Sequence, residues 1–301
     1  MRIVLVYNQK SSGYSRVLKD IIEPVRARIH DEIIEYNIEP SSFEQNAEDL
    51  GRILEKNDLV IVAGGDGTAS IAANAILQFN VEGARMAVFG YGNFNDFQSN
   101  FGLKKRDLGR ILRGNIRSTT VRPAEIILDG EFWRFATLYF TAGLLAKSTE
   151  VFEEHQVRAT ISRKRHLPRL LYSLTKLKIW FWRESRKNRR GIYQEVNGQK
   201  ITDFGVMIGK KMARVLRARH NYLGSWQVGV FSLRLSNLWK AGMFVLGGIL
   251  FGVPIEGHDE VEWKISSGNG IWLQTEGEGA FVENVKIITA KKSDRTIEII
   301  I

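Results

Sequence analysis

Short apolar runs alternate with helix-periodic stretches through the first ninety residues, and no other feature of the chain restricts its fold as strongly. Residues 3–7 (Ile-Val-Leu-Val-Tyr) read as a buried strand, and residues 15–28 set Val17, Leu18, Ile21, Ile22 and Val25 at helical spacing. Residues 32–38 give a second strand, and residues 43–54 a helix with Ser41 or Ser42 as its N-cap. Residues 58–63 form a third strand, a small-residue helix runs from about Thr68 to Leu77, and residues 86–89 form a fourth strand. This order predicts an α/β domain with an open, mainly parallel sheet and right-handed crossovers. Such sheets bind ligands at the carboxyl ends of their strands.

The texture changes near Pro123. From Glu125 onward the apolar segments are shorter and alternate more, and Asp129-Gly130 is a hairpin signal between two of them. Further strand candidates cover 204–209, 228–235, 260–265, 271–274, 285–289 and 296–300. The expectation is a domain over 1–124 and a second, mostly antiparallel β-sandwich-like domain over 125–301. The last strand is a candidate to return to the first domain.

The chain has 43 Lys+Arg against 33 Asp+Glu, a net +10, but the excess is local. Residues 155–190 hold twelve Lys/Arg against one acid, Glu184, a net +11, so the rest of the chain is close to neutral. The absence of cysteine excludes disulfides, a thiol nucleophile and every Cys-ligated metal site. No secretory signal is read at the start, which makes a cytoplasmic protein the expectation. The longest apolar run, 241–255, has four glycines and a proline and falls short of the roughly 18 residues of a membrane span. It is expected to be a buried helix or strand pair, with a membrane-touching element as the alternative.

Gly64-Gly65-Asp66-Gly67-Thr68 stands where the third strand hands over to a helix. Glycines there let backbone N–H groups approach an anion, the helix N-terminus adds partial positive charge, and Thr68 offers a hydroxyl. No Gly-Lys-Ser/Thr follows, and the dinucleotide fingerprint spacing is absent. The plainer reading is a tight strand–helix turn, for which an acid among three glycines is an odd choice.

This pentapeptide after an apolar strand resembles the superfamily of diacylglycerol kinases, sphingosine and ceramide kinases and bacterial lipid kinases, with NAD kinases more distant. Four further segments carry the resemblance in the expected order. Asn8-Gln9-Lys10-Ser11-Ser12-Gly13 is similar to the family's Asn-Pro-x-Ser-Gly loop, with Gln9 for proline. Gly92-Asn93-Phe94-Asn95-Asp96-Phe97 is similar to Gly-Thr-x-Asn-Asp-Phe, with Asn93 for threonine and Gly90 in place of an upstream proline. Gly143-Leu144-Leu145-Ala146 resembles the opening of the lipid-binding domain, and Gln274-Thr275-Glu276-Gly277-Glu278 its late Gln-x-Asp-Gly-Glu motif. The departure is at 222–229, where Gln227 and Val228 stand where bacterial members carry an aspartate of a structural Mg²⁺ site; that metal is not carried over.

The resemblance implies a nucleotide-binding domain over 1–124, a lipid-binding domain over 125–301, and transfer of the ATP γ-phosphate to a lipid hydroxyl. Diacylglycerol giving phosphatidic acid is the leading case, as a step of phospholipid biosynthesis. A sphingoid base or another lipid alcohol, and a catalytically silent nucleotide- or lipid-binding homologue, are the alternatives. Asn8, Gln9, Lys10, Ser11, Ser12, Gly64, Gly65, Asp66, Gly67, Thr68, Gly92 and Asn93 are the implied ATP-binding residues. Asp66 would hold the catalytic Mg²⁺ or activate the acceptor, Asp96 would organise the network, and Glu278 would take the hydroxyl proton with help from Glu276. Read as residues alone, Glu276 and Glu278 are also compatible with an exposed acidic hairpin.

Within 163–190 basic residues interleave with Leu170, Leu174, Leu177 and Phe181 at helical spacing and with Trp180 and Trp182. The pattern predicts a basic amphipathic helix, either solvated or lying on an anionic membrane surface. A lipid substrate at that surface is the expected partner, with peripheral membrane association. Nucleic acid is not expected, since the aromatics cluster in an apolar face and no nucleic-acid-binding motif is present. A homodimer is compatible with the sequence.

Overall fold

Residues 3–6, 59–63 and 86–89 carry no polar side chain, and in the computed structural model they form the inner strands of a sheet covered on both faces. The structure describes all residues except 12, 29–31, 93–94, 150–174, 177–178, 181, 184–193, 213–215, 235–237 and 267–269. The chain divides into two units: Met1–Pro123 with Leu223–Ser225 and Ser293–Ile301, and Ala124–Tyr222 with Trp226–Lys292.

The sheet of the first unit contains β1 (Arg2–Tyr7), β2 (Glu32–Asn37), β3 (Leu59–Gly64), β4 (Arg85–Gly90), β5 (Ser118–Val121) and β20 (Ile297–Ile300), in the order β2-β1-β3-β4-β20-β5. All neighbours run parallel except β20 and β5. Strand side chains alternate between faces, so Ile3, Leu5, Leu59, Ile61, Ala87 and Phe89 form one core with Val17, Ile21, Ile22 and Val25 of the helical segment 14–26. That segment consists of α1 (Tyr14–Val17), a π-helical turn (Leu18–Ile22) and α2 (Glu23–Arg26). The crossovers α3 (Phe43–Ile53) and α4 (Asp66–Gln78) pack against each other. Ser42 caps α3 by accepting the N–H of Gln45 at 3.1 Å. Helices α5 (Asp96–Phe101) and α6 (Leu108–Leu112) follow β4.

The second unit is mainly antiparallel. One sheet has the order β15-β14-β11-β8-β17-β18: β15 (Glu256–His258), β14 (Val228–Leu233), β11 (Asp203–Met207), β8 (Tyr139–Gly143), β17 (Ile271–Thr275) and β18 (Glu278–Val282). The other has the order β16-β19-β6-β7: β16 (Glu260–Lys264), β19 (Ile287–Lys292), β6 (Ala124–Leu128) and β7 (Glu131–Ala136). Trp263 of the four-stranded sheet packs its ring 4.8 Å from Phe204 and 6.3 Å from Phe140 of the other, which makes the sandwich core. Asp129 and Gly130 both take positive φ, 49° and 89°, as a two-residue hairpin between β6 and β7 requires. Two short ladders, β9 (Gln194–Val196) with β10 (Gln199–Ile201) and β12 (Lys211–Met212) with β13 (Leu216–Arg217), complete the strands. Helix α7 (Leu144–Lys147) follows β8 directly, and α8 (Leu238–Leu250) follows β14.

Two expectations need comment. The apolar run 241–255, expected to be buried, contains most of α8 and leaves Met243, Leu246, Ile249, Leu250 and Phe251 exposed. Of the basic stretch 155–190, only residues 175, 176, 179, 180, 182 and 183 are described, all in helical conformation; the rest lies outside the described residues.

Candidate active site

Strand register gathers the Gly-rich motifs of the first unit. Tyr7 of β1 is level with Ala63 of β3, and Gly64 is level with Gly90 of β4, so the loops after β1, β3 and β4 leave the same carboxyl edge. After β1, the Asn8 side chain accepts the N–H of Lys10 at 2.9 Å and its carbonyl accepts the N–H of Ser11 at 3.1 Å. The Gln9 N–H donates to Asn37 Oδ1 at 3.0 Å, tying this loop to the end of β2. Asn8 therefore shapes the turn, while Gln9 and Lys10 are exposed. Ser12 and Asn93 lie outside the described residues.

After β3 the backbone stays extended at Gly65, which has no side chain to cap α4, and the helix begins at Asp66. The first-turn N–H groups, including those of Gly67 and Thr68, are the orphan donors that an anion can satisfy. The N–H of Tyr91 donates to the Gly64 carbonyl at 2.7 Å and draws the loop after β4 alongside. A Cβ on Gly92 would lie 2.6 Å from Gly65 Cα, so the two loops approach backbone to backbone. Gly64, Gly65, Gly67, Thr68 and Gly92 thus line one edge, with Thr68 buried.

The acids follow. Asn95 takes a left-handed conformation, φ 54°, immediately before α5, whose first residue, Asp96, is buried. The N–H of Phe97 donates to Asp66 Oδ1 at 3.1 Å. Burial, and then the like charge of Asp96, push the Asp66 carboxyl up to about 8, with the N–H groups of Phe97, Asp96 and Asn95 acting in the opposite sense. Two neighbouring buried acids cannot both ionise readily. The buried Asn95 Oδ1 has no hydrogen-bond partner. Oxygen donors from Asp66, Asp96 and Asn95 suit a hard cation such as Mg²⁺. No cluster of three or more metal-ligating His, Cys, Asp or Glu side chains occurs among the described residues.

In the second unit, Glu276 and Gly277 have φ of 46° and 89° and form the two-residue turn between β17 and β18. The reading of both acids as an exposed acidic hairpin holds for the hairpin but not for the exposure of Glu276: Glu276 is in the turn, and Glu278 opens β18 opposite Thr275. Glu276 is fully buried, and its Oε1 accepts the N–H groups of Thr137, Leu138 and Tyr139 at 2.7, 2.8 and 3.3 Å. It anchors the turn to the β7–β8 connection. Glu278 is half-buried.

One acid escaped the sequence reading. Asp203, at the start of β11, is fully buried, accepts the N–H of Leu145 in the first turn of α7, and has its carboxyl pushed up to about 7 by burial. It pins the Gly143–Ala146 motif in place. A single acid before an apolar strand gave no local signal of that task. At the departure noted above, Val228 is buried in β14 and contributes no carboxylate.

Residues 2–127 match the family model of the diacylglycerol kinase catalytic domain. No curated protein matches the sequence. A crystal structure described as a diacylglycerol kinase from Bacillus anthracis str. Sterne is 14% identical at a TM-score of 0.66, covering 99% of this chain and 96% of that one. Another structure from the same strain, given that assignment provisionally, is 15% identical at a TM-score of 0.67 with the same coverage. Residues 2–127 thus resemble the diacylglycerol kinase catalytic domain, within a chain that shares the fold of these structures.

Proposed function

We propose that the chain is an ATP- and Mg²⁺-dependent lipid kinase that transfers the γ-phosphate to a lipid hydroxyl, diacylglycerol being the favoured acceptor. The observation that carries this reading is the Asp66–Asp96 pair at the mouth of a Gly-lined helix N-terminus. A carboxyl pushed upward by burial and by a neighbouring acid is suited to a site where a cation arrives with an anionic ligand.

When bound, Mg²⁺ neutralises charge on the phosphates of the nucleotide. The N–H groups opening α4 donate to phosphate oxygens, and the Asn8–Ser11 turn and Gly92 line the same edge. Asp66 supplies an oxygen ligand, and Asp96 with Asn95 holds it in place. In the transfer itself the acceptor O–H bond breaks, its oxygen bonds to phosphorus, and the bond from phosphorus to ADP is released. Glu278 accepts the hydroxyl proton in this reading, and Glu276 fixes the turn that carries it. The basic stretch 155–190 is proposed to hold the chain at an anionic membrane where the lipid resides.

The test is phosphate transfer from labelled ATP to a panel of vesicle-borne lipid alcohols, with Asp66→Ala as control. Labelled phosphatidic acid from diacylglycerol, lost in the variant, is the expected result. A labelled sphingoid base or other alcohol would replace the acceptor and keep the kinase. No product with any acceptor would overturn the reading in favour of a silent nucleotide- or lipid-binding homologue.

A further inference from the structure

Helix α8 reverses the usual amphipathic arrangement. Met243, Leu246, Gly247 and Leu250 fall at i, i+3, i+4 and i+7 and so share one stripe. That stripe faces outward: Met243 and Leu246 are each 51% exposed and Leu250 62%, with Phe251 just beyond at 74%. The opposite side is held tightly. A Cβ on Gly248 would lie 2.7 Å from Leu216 Cδ2, and the bond from the Val253 N–H to the Arg217 carbonyl anchors the chain beyond the helix to β13. The outward stripe is therefore fixed by close packing on the other side.

Met243, Ile249, Leu246, Leu250 and Phe251 together expose on the order of 500 Å² of apolar surface, the range in which a monomer's largest patch is commonly functional. The cleft beside them, about 200 Å³, is smaller than a ligand pocket of roughly 300 Å³ or more. Its lining combines Met243, Phe244 and Phe251 with one charged residue, Arg219, and contains no acid. Lys240 is exposed on the helix, and Arg217 is exposed on β13. The nearest following acid, Glu256, lies in β15 with its carboxylate 3.9 Å from His258.

We infer that α8 is a membrane-docking helix that lies in the interface of an anionic bilayer, its Met243–Leu246–Leu250 stripe and Phe251 inserted and Arg217, Arg219 and Lys240 at the headgroups. Thirteen residues make a helix about 20 Å long, too short for a hydrocarbon core of about 30 Å but suited to lying in its surface plane. No described helix is long and apolar enough to cross a membrane. A second copy of the chain is the poorer occupant. Two-fold pairing of this face would set its cations against their own copies, and the patch falls short of the roughly 800 Å² per partner of a stable interface. The inference does not rest on the kinase reading, and its test requires no ATP.

The absence of cysteine makes the experiment clean. Leu246→Cys, Leu250→Cys and, as control, Gln199→Cys are each labelled with an environment-sensitive fluorophore. The full chain is then mixed with vesicles of phosphatidylcholine alone or with added phosphatidylglycerol. The inference expects blue-shifted emission at 246 and 250, none at 199, and stronger binding with phosphatidylglycerol. Leu246→Asp with Leu250→Asp, whose circular dichroism should be unchanged at these exposed sites, should weaken vesicle sedimentation by tenfold or more. Unshifted probes on sedimenting protein would overturn the inference, placing the membrane contact elsewhere. So would a dimer in solution that the double Asp variant converts to monomer. Phosphate transfer to detergent-dispersed lipid is scored separately, so failure of docking and failure of the kinase reading are distinguishable.

Discussion

The backbone N–H of Phe97 donates to Asp66 Oδ1 at 3.1 Å, so the acid that follows β3 is aimed by the helix that follows β4. Two glycine-bearing motifs thereby act as one site. Asp66→Asn keeps an oxygen for the Phe97 N–H but removes the charge that a cation requires. Turnover should fall by about 100-fold or more with the thermal midpoint at pH 7 little changed, since a carboxyl pushed up to about 8 is already largely neutral there. A steady-state assay beside a melting curve checks both halves.

The two raised carboxyls predict a pH dependence of stability with a definite sign. Asp66, near 8, and Asp203, near 7, both sit above the roughly 3.9 of an unfolded aspartate, so the folded state binds their protons more tightly. Their contribution is greatest below about pH 4 and is lost as pH rises through the folded values. The slope is at most about 1.4 kcal/mol per pH unit for each group. Urea midpoints in magnesium-free buffer should therefore fall between pH 5 and pH 8. Asp66→Asn should flatten the transition of the first unit and Asp203→Asn that of the second.

Glu276 and Glu278 should separate by phenotype. Glu276→Ala strands three buried N–H groups, each costing about 1–3 kcal/mol, so the second unit should lose at least about 3 kcal/mol in urea unfolding. Glu278→Gln should leave that transition in place and abolish turnover. Equal loss of stability in both variants would contradict the division of labour.

Gly92 and Gly65 also make unequal predictions. A methyl on Gly92 meets Gly65 Cα at 2.6 Å and must push the loops apart, whereas a methyl on Gly65 meets Gly92 Cα at an ordinary 3.5 Å. Gly92→Ala should therefore raise the KM for ATP by about tenfold or more, a loss of at least about 1.4 kcal/mol in binding. Gly65→Ala should unfold at the wild-type urea concentration. Isothermal titration with a non-hydrolysable nucleotide would measure the first effect directly.

Much of the first unit was legible in the sequence because its inner strands β1, β3 and β4 are buried on both faces and the helical segment after β1 keeps one apolar face. Residues 3–7 and 59–63 are unbroken apolar runs, and Val17, Ile21 and Val25 keep the helical period. The Gly-rich motifs were legible because close backbone approach admits few other residues. The second unit was harder to read. Its central strand β8 is buried at all five positions, is short, and has small residues in Thr141, Ala142 and Gly143, so neither alternation nor an aliphatic run marks it. The roles of Glu276 and Asp203 depend on N–H groups far away in sequence, at 137–139 and at 145, which no local pattern encodes. For α8 composition misleads, because an apolar helix need not be a buried one.

Strand β20 lies between β4 and β5, so the first unit's sheet cannot close until residues 297–300 have left the ribosome. Between Pro123 and Ile297 the ribosome adds roughly 170 residues, about 10 to 35 s of synthesis at 5–20 residues per second. Through that interval the nascent sheet carries a raw edge along β4, beside the Gly-rich loops. An interruption of synthesis within the second unit would therefore leave an early-made sheet unsealed and prone to aggregate, and the first unit is completed only by a strand made after the whole of the second.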